Sequence, residues 1–137
     1  MAHDFKAFPE LTNSQMQFYY LDSPHKQITE DFTGRVVDVH DGDTIKVKWA
    51  ERKKPVVVRF INTAAPELDE IGGKESQSWL EKQILGEEVN VLIQPKLRVG
   101  KWGRIIGEII FMGININQLS METGHAVDFA TGGSQWF

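Results

Sequence analysis

The chain has 137 residues, of which 41% are hydrophobic and 25% charged, values typical of one soluble globular domain. It contains no cysteine, which excludes disulfides and thiolate metal sites. No apolar run approaches the roughly 18 residues that span a bilayer, and the first residues lack the pattern of a secretory signal. We therefore expect a cytoplasmic, intracellular protein without a membrane partner.

The net charge of −4 argues against a strong, sequence-independent grip on duplex DNA. Basic residues nevertheless cluster in two places, between Lys46 and Arg59 and between Lys96 and Arg104. A local basic surface can guide a polyanion to a protein whose total charge is slightly negative. Composition therefore leaves a nucleic-acid partner open.

Residues 1–32 follow neither a helical nor a strand period. An apolar and aromatic run at residues 16–21 precedes a turn signal at Asp22–His25. We expect an N-terminal extension that is laid over the domain and contains one short helix around residues 13–21. Its aromatic side chains are expected to pack against the domain rather than to bind a partner.

After the extension the hydrophobic period becomes two. Val37 and Val39 are separated by one polar residue, and apolar residues alternate with lysines over Ile45–Trp49. This alternation predicts half-buried antiparallel strands. A third strand at residues 56–61 is apolar on both faces except for Arg59, which must find a partner or face a cleft because a buried, unpaired guanidinium is costly.

The remaining elements complete a recognisable layout. They are a helix that ends at Gly86, strands at residues 88–94 and 104–111, and a helix between Asn115 and Gly124. Five short strands with a helix after the third indicate an OB-fold, which is a small Greek-key barrel. We therefore predict a five-stranded OB-fold barrel with two short helices at residues 33–129, preceded by the N-terminal extension (residues 1–32) and followed by an irregular tail (residues 130–137).

An acidic turn and a hairpin define the candidate site. The turn contains Asp41 and Asp43, and the hairpin that follows should bring Asp43 close to the exit segment Ala64–Glu67. Arg59 lies a few residues before that exit. Two carboxylates and a guanidinium at one end of a hairpin suit the binding of a metal ion and a phosphate. The charged residues 51–54 are interpreted as a solvated hairpin tip that also lies within reach of substrate.

Three motifs, in matching order and spacing, resemble those of the staphylococcal (thermonuclease-like) nuclease family over residues 33–129. They are Asp41-Gly42-Asp43-Thr44, then Val58-Arg59-Phe60 leading to Ala65-Pro66-Glu67, then Trp102-Gly103-Arg104. The resemblance implies an OB-fold nuclease that uses one Ca²⁺ to hydrolyse DNA and RNA, single-stranded or locally open, and leaves 3′-phosphates.

The resemblance also assigns roles to individual residues. Asp43 matches a direct calcium ligand, Asp41 an outer carboxylate that acts through water, and Ala65 a ligand that binds through its backbone carbonyl. Glu67 matches the carboxylate that orients or deprotonates the attacking water. Arg59 and Arg104 match the pair that binds the scissile phosphate, and Lys101 matches a neighbouring lysine. This set is chemically consistent, because calcium prefers hard oxygen ligands and guanidinium groups stabilise phosphoryl oxygens.

One position departs from the family pattern. Ala64 stands where the family carries a second calcium-binding aspartate, and a methyl group cannot ligate. If the missing ligand is taken to be worth one charged hydrogen bond, its loss costs about 1.5–3 kcal/mol of binding free energy, or one to two decades of metal affinity. Our hypothesis is an engineered inactivation, because the main motif residues are otherwise intact; an alanine codon in the native gene would contradict it. The alternative is a natural loss in a binding relative.

Each motif also has a structural interpretation. Asp-Gly-Asp is common in turns, a lone arginine more often forms a structural ion pair, and Glu67 could neutralise a helix dipole. His40 and His125 are interpreted as structural. Two functions therefore stay open, a metal-dependent nuclease and a non-catalytic OB-fold module that binds nucleic acid or protein. The joint occurrence of Glu67, Arg59 and Arg104 favours the enzyme.

Overall fold

The computed structural model describes residues 2–100 and 103–129. The strands are β1 (Phe32–Asp41), β2 (Thr44–Lys48), β3 (Val56–Phe60), β4 (Thr63–Ala64), β5 (Glu88–Leu92), β6 (Ile105–Phe111), β7 (Ile114–Asn115) and β8 (Val127–Asp128), and the helices are α1 (Asn13–Tyr19), α2 (Gly73–Ile84) and α3 (Ile116–Glu122). Five of the strands form the barrel in the order β3-β2-β1-β5-β6, which closes because β3 also pairs in parallel with β6, and the short β7 pairs beside β6. The predicted five-stranded OB-fold barrel is thereby confirmed.

The barrel core is built by the alternating residues of its strands. Ile45, Val47 and Val58 are fully buried, as the period of two predicts. Helix α2 covers one side of the barrel with Leu80 and Ile84, which are also fully buried and lie four residues apart on one helical face. Within the described residues, none of the helices is long and apolar enough to cross a bilayer.

A β-bulge changes the predicted face of β1. The pairing with β2 shifts register between Val36 and Asp38, so Val37 becomes an extra residue on β1. Val36 is fully buried, whereas Val37 is 44% exposed. The expectation that Val37 faces inward is therefore wrong, because strict alternation cannot account for an inserted residue.

The N-terminal segment contains the predicted short helix. Helix α1 begins after Thr12, whose hydroxyl accepts a hydrogen bond from the backbone N–H of Gln15, while the Gln15 side chain accepts one from the Thr12 N–H. Leu11 and Ile28, on either side of this helix, are almost completely buried. Apolar side chains of the segment are thus anchored in the protein interior.

Two arginines of the predicted basic clusters turn inward to meet this segment. Arg52, at the hairpin tip between β2 and β3, is only 8% exposed and forms a buried ion pair with Glu10. Arg98 is 3% exposed and donates hydrogen bonds to the backbone carbonyls of Ile28 and Leu11. The interpretation of residues 51–54 as a fully solvated tip is therefore wrong for Arg52, because a remote acid supplies its partner.

Asn117 fastens α3 to the barrel. Its side-chain oxygen accepts a hydrogen bond from the Ile109 N–H (3.0 Å), and its amide nitrogen donates to the carbonyls of Gly107 (3.2 Å) and Ile61 (3.3 Å). The residue is buried, so water cannot replace these partners. One side chain therefore joins the helix, the end of β3 and the middle of β6.

Replacing Asn117 with alanine should lower the free energy of unfolding by about 2–4 kcal/mol, because it leaves the buried Ile109 N–H without a partner. Urea unfolding measures this loss. The matched control is Asn90→Ala, which removes an exposed asparagine whose side chain accepts one surface hydrogen bond from Thr33 and should change stability by less than about 0.5 kcal/mol. Equal effects of the two substitutions would contradict the fastening role.

Candidate active site

A second bulge aims Asp41 at the site. Val39 pairs with Ile45 and Asp41 pairs with Thr44, so His40 is the extra residue on β1. A bulge at the end of a strand redirects the side chains beside it. Asp41 is consequently 8% exposed, although it is an acid at the end of a hairpin strand.

Gly42 allows the acidic turn to approach the rest of the site. A Cβ atom at this position would lie 2.6 Å from the Ala65 Cβ and 2.7 Å from the Ser76 Cβ. Real side chains do not come this close, so any other residue would push the turn away from the exit of β4 and from α2. The sequence pattern Asp-Gly-Asp therefore has a packing cause as well as a turn-forming one.

Asp43 is the centre of the site. Its Oδ2 atom accepts a hydrogen bond from the Ala65 N–H (2.8 Å) and lies 3.4 Å from Nη2 of Arg59. Its Oδ1 atom accepts from the Thr44 hydroxyl (3.1 Å), and its own N–H donates to Oδ1 of Asp41 (3.1 Å). The predicted convergence of Asp41, Asp43, Arg59 and Ala65 at one rim of the barrel is thus present in the structure.

Burial raises the pKa of Asp43 from 3.8 to about 6. The Arg59 guanidinium opposes this shift, whereas the hydrogen bond and the negative charge of Asp41 add to the rise in pKa. The Ala65 N–H lowers the pKa, but its effect is the smallest. The site therefore holds two neighbouring carboxylates whose charge only one guanidinium partly compensates.

Arg59 is fixed by the turn that follows its own strand. One guanidinium nitrogen, Nη1, donates to the carbonyls of Phe60 (2.8 Å) and Thr63 (2.6 Å), and Nη2 faces Asp43. The side chain is 21% exposed. Arg59 therefore has a partner, as its position on an apolar strand requires, and retains a solvent-facing part.

The parallel pairing of β3 with β6 brings Arg104 to the same face as Arg59. Val58 is opposite Ile105 and Arg59 is opposite Ile106, and both members of the first pair point into the core. Arg104, one residue before Ile105, therefore projects from the outer face, as Arg59 does. Among the described residues, the half-buried Arg104 guanidinium makes no hydrogen bond or ion pair.

The structure ties the other candidate residues less directly to the acidic turn. Glu67 is exposed; its N–H donates to the Glu70 side chain (2.7 Å), and its carboxylate contacts no other polar group in the described chain. Ala64 is half-buried in β4, opposite Val127 of β8. Lys101 lies outside the described residues. The structure thus brings together the acidic turn and Arg59, and leaves the role of Glu67 as a prediction.

Two polar contacts behind the turn are not predicted by the sequence motifs. Ser76, which faces Gly42 from α2, donates a hydrogen bond to the carbonyl of His125. The His125 ring stacks on Trp79, with ring centroids 4.6 Å apart and planes inclined by 13°. The only sequence signal for Ser76 is its helical spacing from Leu80 and Ile84 on the buried face.

The donor set fits a hard cation in part. Asp41 and Asp43 supply carboxylate oxygens, and a bound cation would compensate the ionised form of Asp43, which burial and then the neighbouring Asp41 disfavour. Within the described ranges, no group of three or more histidine, aspartate or glutamate side chains could hold a metal ion. Calcium takes six to eight oxygen ligands, so backbone oxygens and water would have to complete its shell. Ala65 is held beside Asp43 by its own N–H, which donates to Oδ2 of Asp43.

Fold and site together define an OB-fold-like barrel with a buried acidic turn and two arginines on one rim.

No protein-family model matches the chain. It is similar to an "Uncharacterized endonuclease" of Escherichia coli, with 36% identity over 97 residues that cover 70% of this chain and 60% of that protein. A protein of the same name from Escherichia coli O157:H7 is 35% identical over 97 residues, with the same 70% and 60% coverage. An uncharacterized protein of Bacillus anthracis is 29% identical over 102 residues, covering 72% of this chain and 48% of that protein. The chain therefore spans less than two thirds of the length of these relatives.

Because the pKa of Asp43 is raised in the folded state, the folded protein holds this proton more tightly than the unfolded chain does. The stabilisation is fully present below pH 3.8 and is lost as the pH rises to about 6. Asp43→Asn should therefore increase the free energy of unfolding at pH 8 by about 1–3 kcal/mol, a range that already includes the opposing effect of the Arg59 guanidinium on the pKa. It should have little effect at pH 3.5. Urea unfolding at both pH values measures the difference, and an equal gain at both would contradict the raised pKa.

Proposed function

We propose that this protein is a metal-dependent nuclease whose affinity for its cation is weakened by Ala64. The observation that carries the proposal is the contact set of Asp43, which joins a second carboxylate, a guanidinium and the exit of β4 at one rim. A purely structural turn has no need to bury two neighbouring acids at the expense of stability. The endonuclease names of the two similar Escherichia coli proteins support the same class of activity.

The cation assigned to the site is Ca²⁺, which would be held by Asp43 directly, by Asp41 through water and by the Ala65 carbonyl. When bound, it supplies positive charge that polarises the phosphodiester and stabilises negative charge on its oxygens. The chain's own contribution is positioning. Arg59, fixed by two carbonyls and by Asp43, presents its exposed part to one phosphoryl oxygen.

The remaining roles belong to Arg104, Lys101 and Glu67. Arg104 projects from the same face as Arg59, and its guanidinium is available for a second phosphoryl contact. Lys101 is assigned to the neighbouring phosphate. Glu67, exposed at the exit from the site, is assigned to orient or deprotonate the attacking water. Cleavage of the P–O5′ bond then leaves a 3′-phosphate and a free 5′-hydroxyl.

The proposed substrates are DNA and RNA strands that are single or locally open. The net charge of −4 disfavours a strong hold on duplex DNA. Burial of Arg52 and Arg98 further reduces the basic surface that a duplex could contact. A single strand can instead be bound at one phosphate by the two arginines of the rim.

A second candidate function is a non-catalytic OB-fold module that binds nucleic acid or protein. It is favoured by Arg59, whose guanidinium is largely engaged by the carbonyls of Phe60 and Thr63, and by the absence of a ligand side chain at Ala64. Such a module would bind its partner without Glu67 and without a divalent cation. This indifference separates it from the nuclease.

Cleavage of a labelled single-stranded oligonucleotide, in Ca²⁺ and in EDTA, tests the proposal. We expect slow cleavage in Ca²⁺, no cleavage in EDTA, and a lower Ca²⁺ requirement by about 10–100-fold in Ala64→Asp, because this change restores a ligand. The matched control is Ala50→Asp, which adds the same charge at an exposed position of the β2–β3 connection, at the other end of β2 from the acidic turn.

Calorimetric binding of Ca²⁺ to the same variants gives a readout that does not depend on activity. Tighter binding by Ala64→Asp but not by Ala50→Asp supports the cation site. Cleavage that persists in EDTA contradicts metal dependence. Absence of cleavage in both the parent chain and Ala64→Asp, with the fold intact, would contradict the nuclease, and binding of the uncut oligonucleotide in EDTA would then support the binding module.

Glu67→Gln should reduce kcat at least about 100-fold, because an amide cannot accept the proton from water. The exposed side chain makes no polar contact in the described residues, so the free energy of unfolding should change by less than about 0.5 kcal/mol. Asp69→Asn, a charge removal at an exposed residue of the same turn, is the control and should leave kcat within twofold. Unchanged cleavage by Glu67→Gln would remove Glu67 from the mechanism.

A further inference from the structure

The connection between β5 and β6, which carries Arg104, is held by the N-terminal segment at Arg98. The buried guanidinium of Arg98 donates to the carbonyls of Ile28 (2.7 Å) and Leu11 (2.6 Å) and to Oδ1 of Asn13 (3.2 Å). All three acceptors belong to the N-terminal segment, not to the barrel. The Asn13 side chain also donates to the carbonyl of Pro95 (3.0 Å) at the start of the connection.

A second contact lies beside Arg104 itself. Gly103 has φ +71°, and a Cβ atom there would lie 3.2 Å from Cβ and Cδ1 of Phe8. Phe8 therefore packs directly on the residue that precedes Arg104. The backbone of Phe8 is itself held by two hydrogen bonds: its N–H donates to the Asp4 carbonyl (2.9 Å), and its carbonyl accepts from the His3 ring nitrogen Nε2 (2.7 Å).

These contacts reach Arg104 through backbone hydrogen bonds. The Gly100 N–H donates to the Arg104 carbonyl (2.8 Å), and the Ile106 N–H donates to the Arg98 carbonyl (3.0 Å). Arg98 and Gly103 both precede Arg104 along the chain, and the hydrogen bond from Ile106 to Arg98 spans it. A shift of either would move the backbone from which the Arg104 side chain projects.

The N-terminal segment is also fixed to a second connection of the barrel. Glu10 forms the buried ion pair with Arg52 of the β2–β3 connection. The segment therefore bridges two connections of the barrel instead of resting on one. A bridge that is anchored at both ends can transmit position to Arg104, whereas a loosely attached segment could not.

We propose that residues 8–13, here called the N-terminal strap, position Arg104 for phosphate contact, with Phe8 and Arg98 as positioning residues. The proposal rests on the proposed nuclease function, in which Arg104 contacts the scissile phosphate. Its physical basis is that a misplacement of about 1 Å can cost a catalytic contact two orders of magnitude in rate. The strap itself touches no substrate.

Phe8→Ala tests the strap without disturbing the buried arginines, because Phe8 is 40% exposed. The matched control is Phe18→Ala, which removes the same side chain from the same segment at a position that is 75% exposed. We expect Phe8→Ala to reduce kcat/KM for oligonucleotide cleavage by about tenfold, and Phe18→Ala to stay within twofold. Phe8→Leu, which restores an apolar contact, should recover most of the loss.

A double-mutant cycle with Arg104→Ala separates positioning from general stability. If the strap acts through Arg104, Phe8→Ala has no further effect on single-turnover cleavage once Arg104 is alanine. The same tenfold loss in both backgrounds overturns the proposal. If the parent chain and Ala64→Asp do not cleave at all, the nuclease function fails first, and the strap has no catalytic contact to position.

Hydrogen exchange tests the strap independently of cleavage. Phe8→Ala should speed amide exchange at Gly100, whose N–H is bonded to the Arg104 carbonyl. Exchange in β2 should remain unchanged, and Phe18→Ala should alter neither. Unchanged exchange at Gly100 in Phe8→Ala overturns the positional link, whatever the cleavage assay shows.

Discussion

The parallel pairing of β3 with β6 is the constraint on which both the barrel and its site depend. Parallel strands cannot be joined by a tight turn, so this contact is made across a long stretch of chain and carries a large entropic penalty. Complete burial of Val58 and Ile105 at the pairing offsets that penalty. Asn117 adds hydrogen bonds that hold α3 against the same seam. Without this seam the barrel would be open, and no phosphate could meet two guanidinium groups.

The acidic turn, in contrast, lowers the stability of the folded protein when its carboxylates are ionised. Burying Asp43 beside Asp41 disfavours the ionised site, as the raised pKa of Asp43 records. An aspartate at position 64 would bring a third carboxylate toward this rim and increase the repulsion whenever no cation is bound. Ala64 therefore makes the cation-free folded protein more stable, while it weakens the proposed cation site. Stability and metal affinity are opposed at this one position.

The period of two in the sequence was sufficient to predict the five strands, Asn115 predicted where the last helix begins, and Gly86 and Gly124 predicted where two helices end. The period of two could not locate the bulge at Val37, because the residues before and after an inserted residue still alternate between the two faces. The convergence around Asp43 followed from hairpin geometry, since the chain returns to its starting edge. The inward turn of Arg52 and Arg98 was missed because charge alone does not show that Glu10 or a row of distant carbonyls will bury a guanidinium.

The two arginines assigned to the proposed phosphate site are held in different ways. Arg59 is fixed through its side chain, by carbonyls of its own turn and by Asp43. Arg104 has an unengaged guanidinium in the described chain, so any fixed orientation must come from its backbone. Fixed donors stabilise developing charge without reorganisation at the moment of reaction. The Arg104 backbone belongs to a connection that the N-terminal segment anchors. The segment with the least regular sequence pattern therefore helps to order the proposed site.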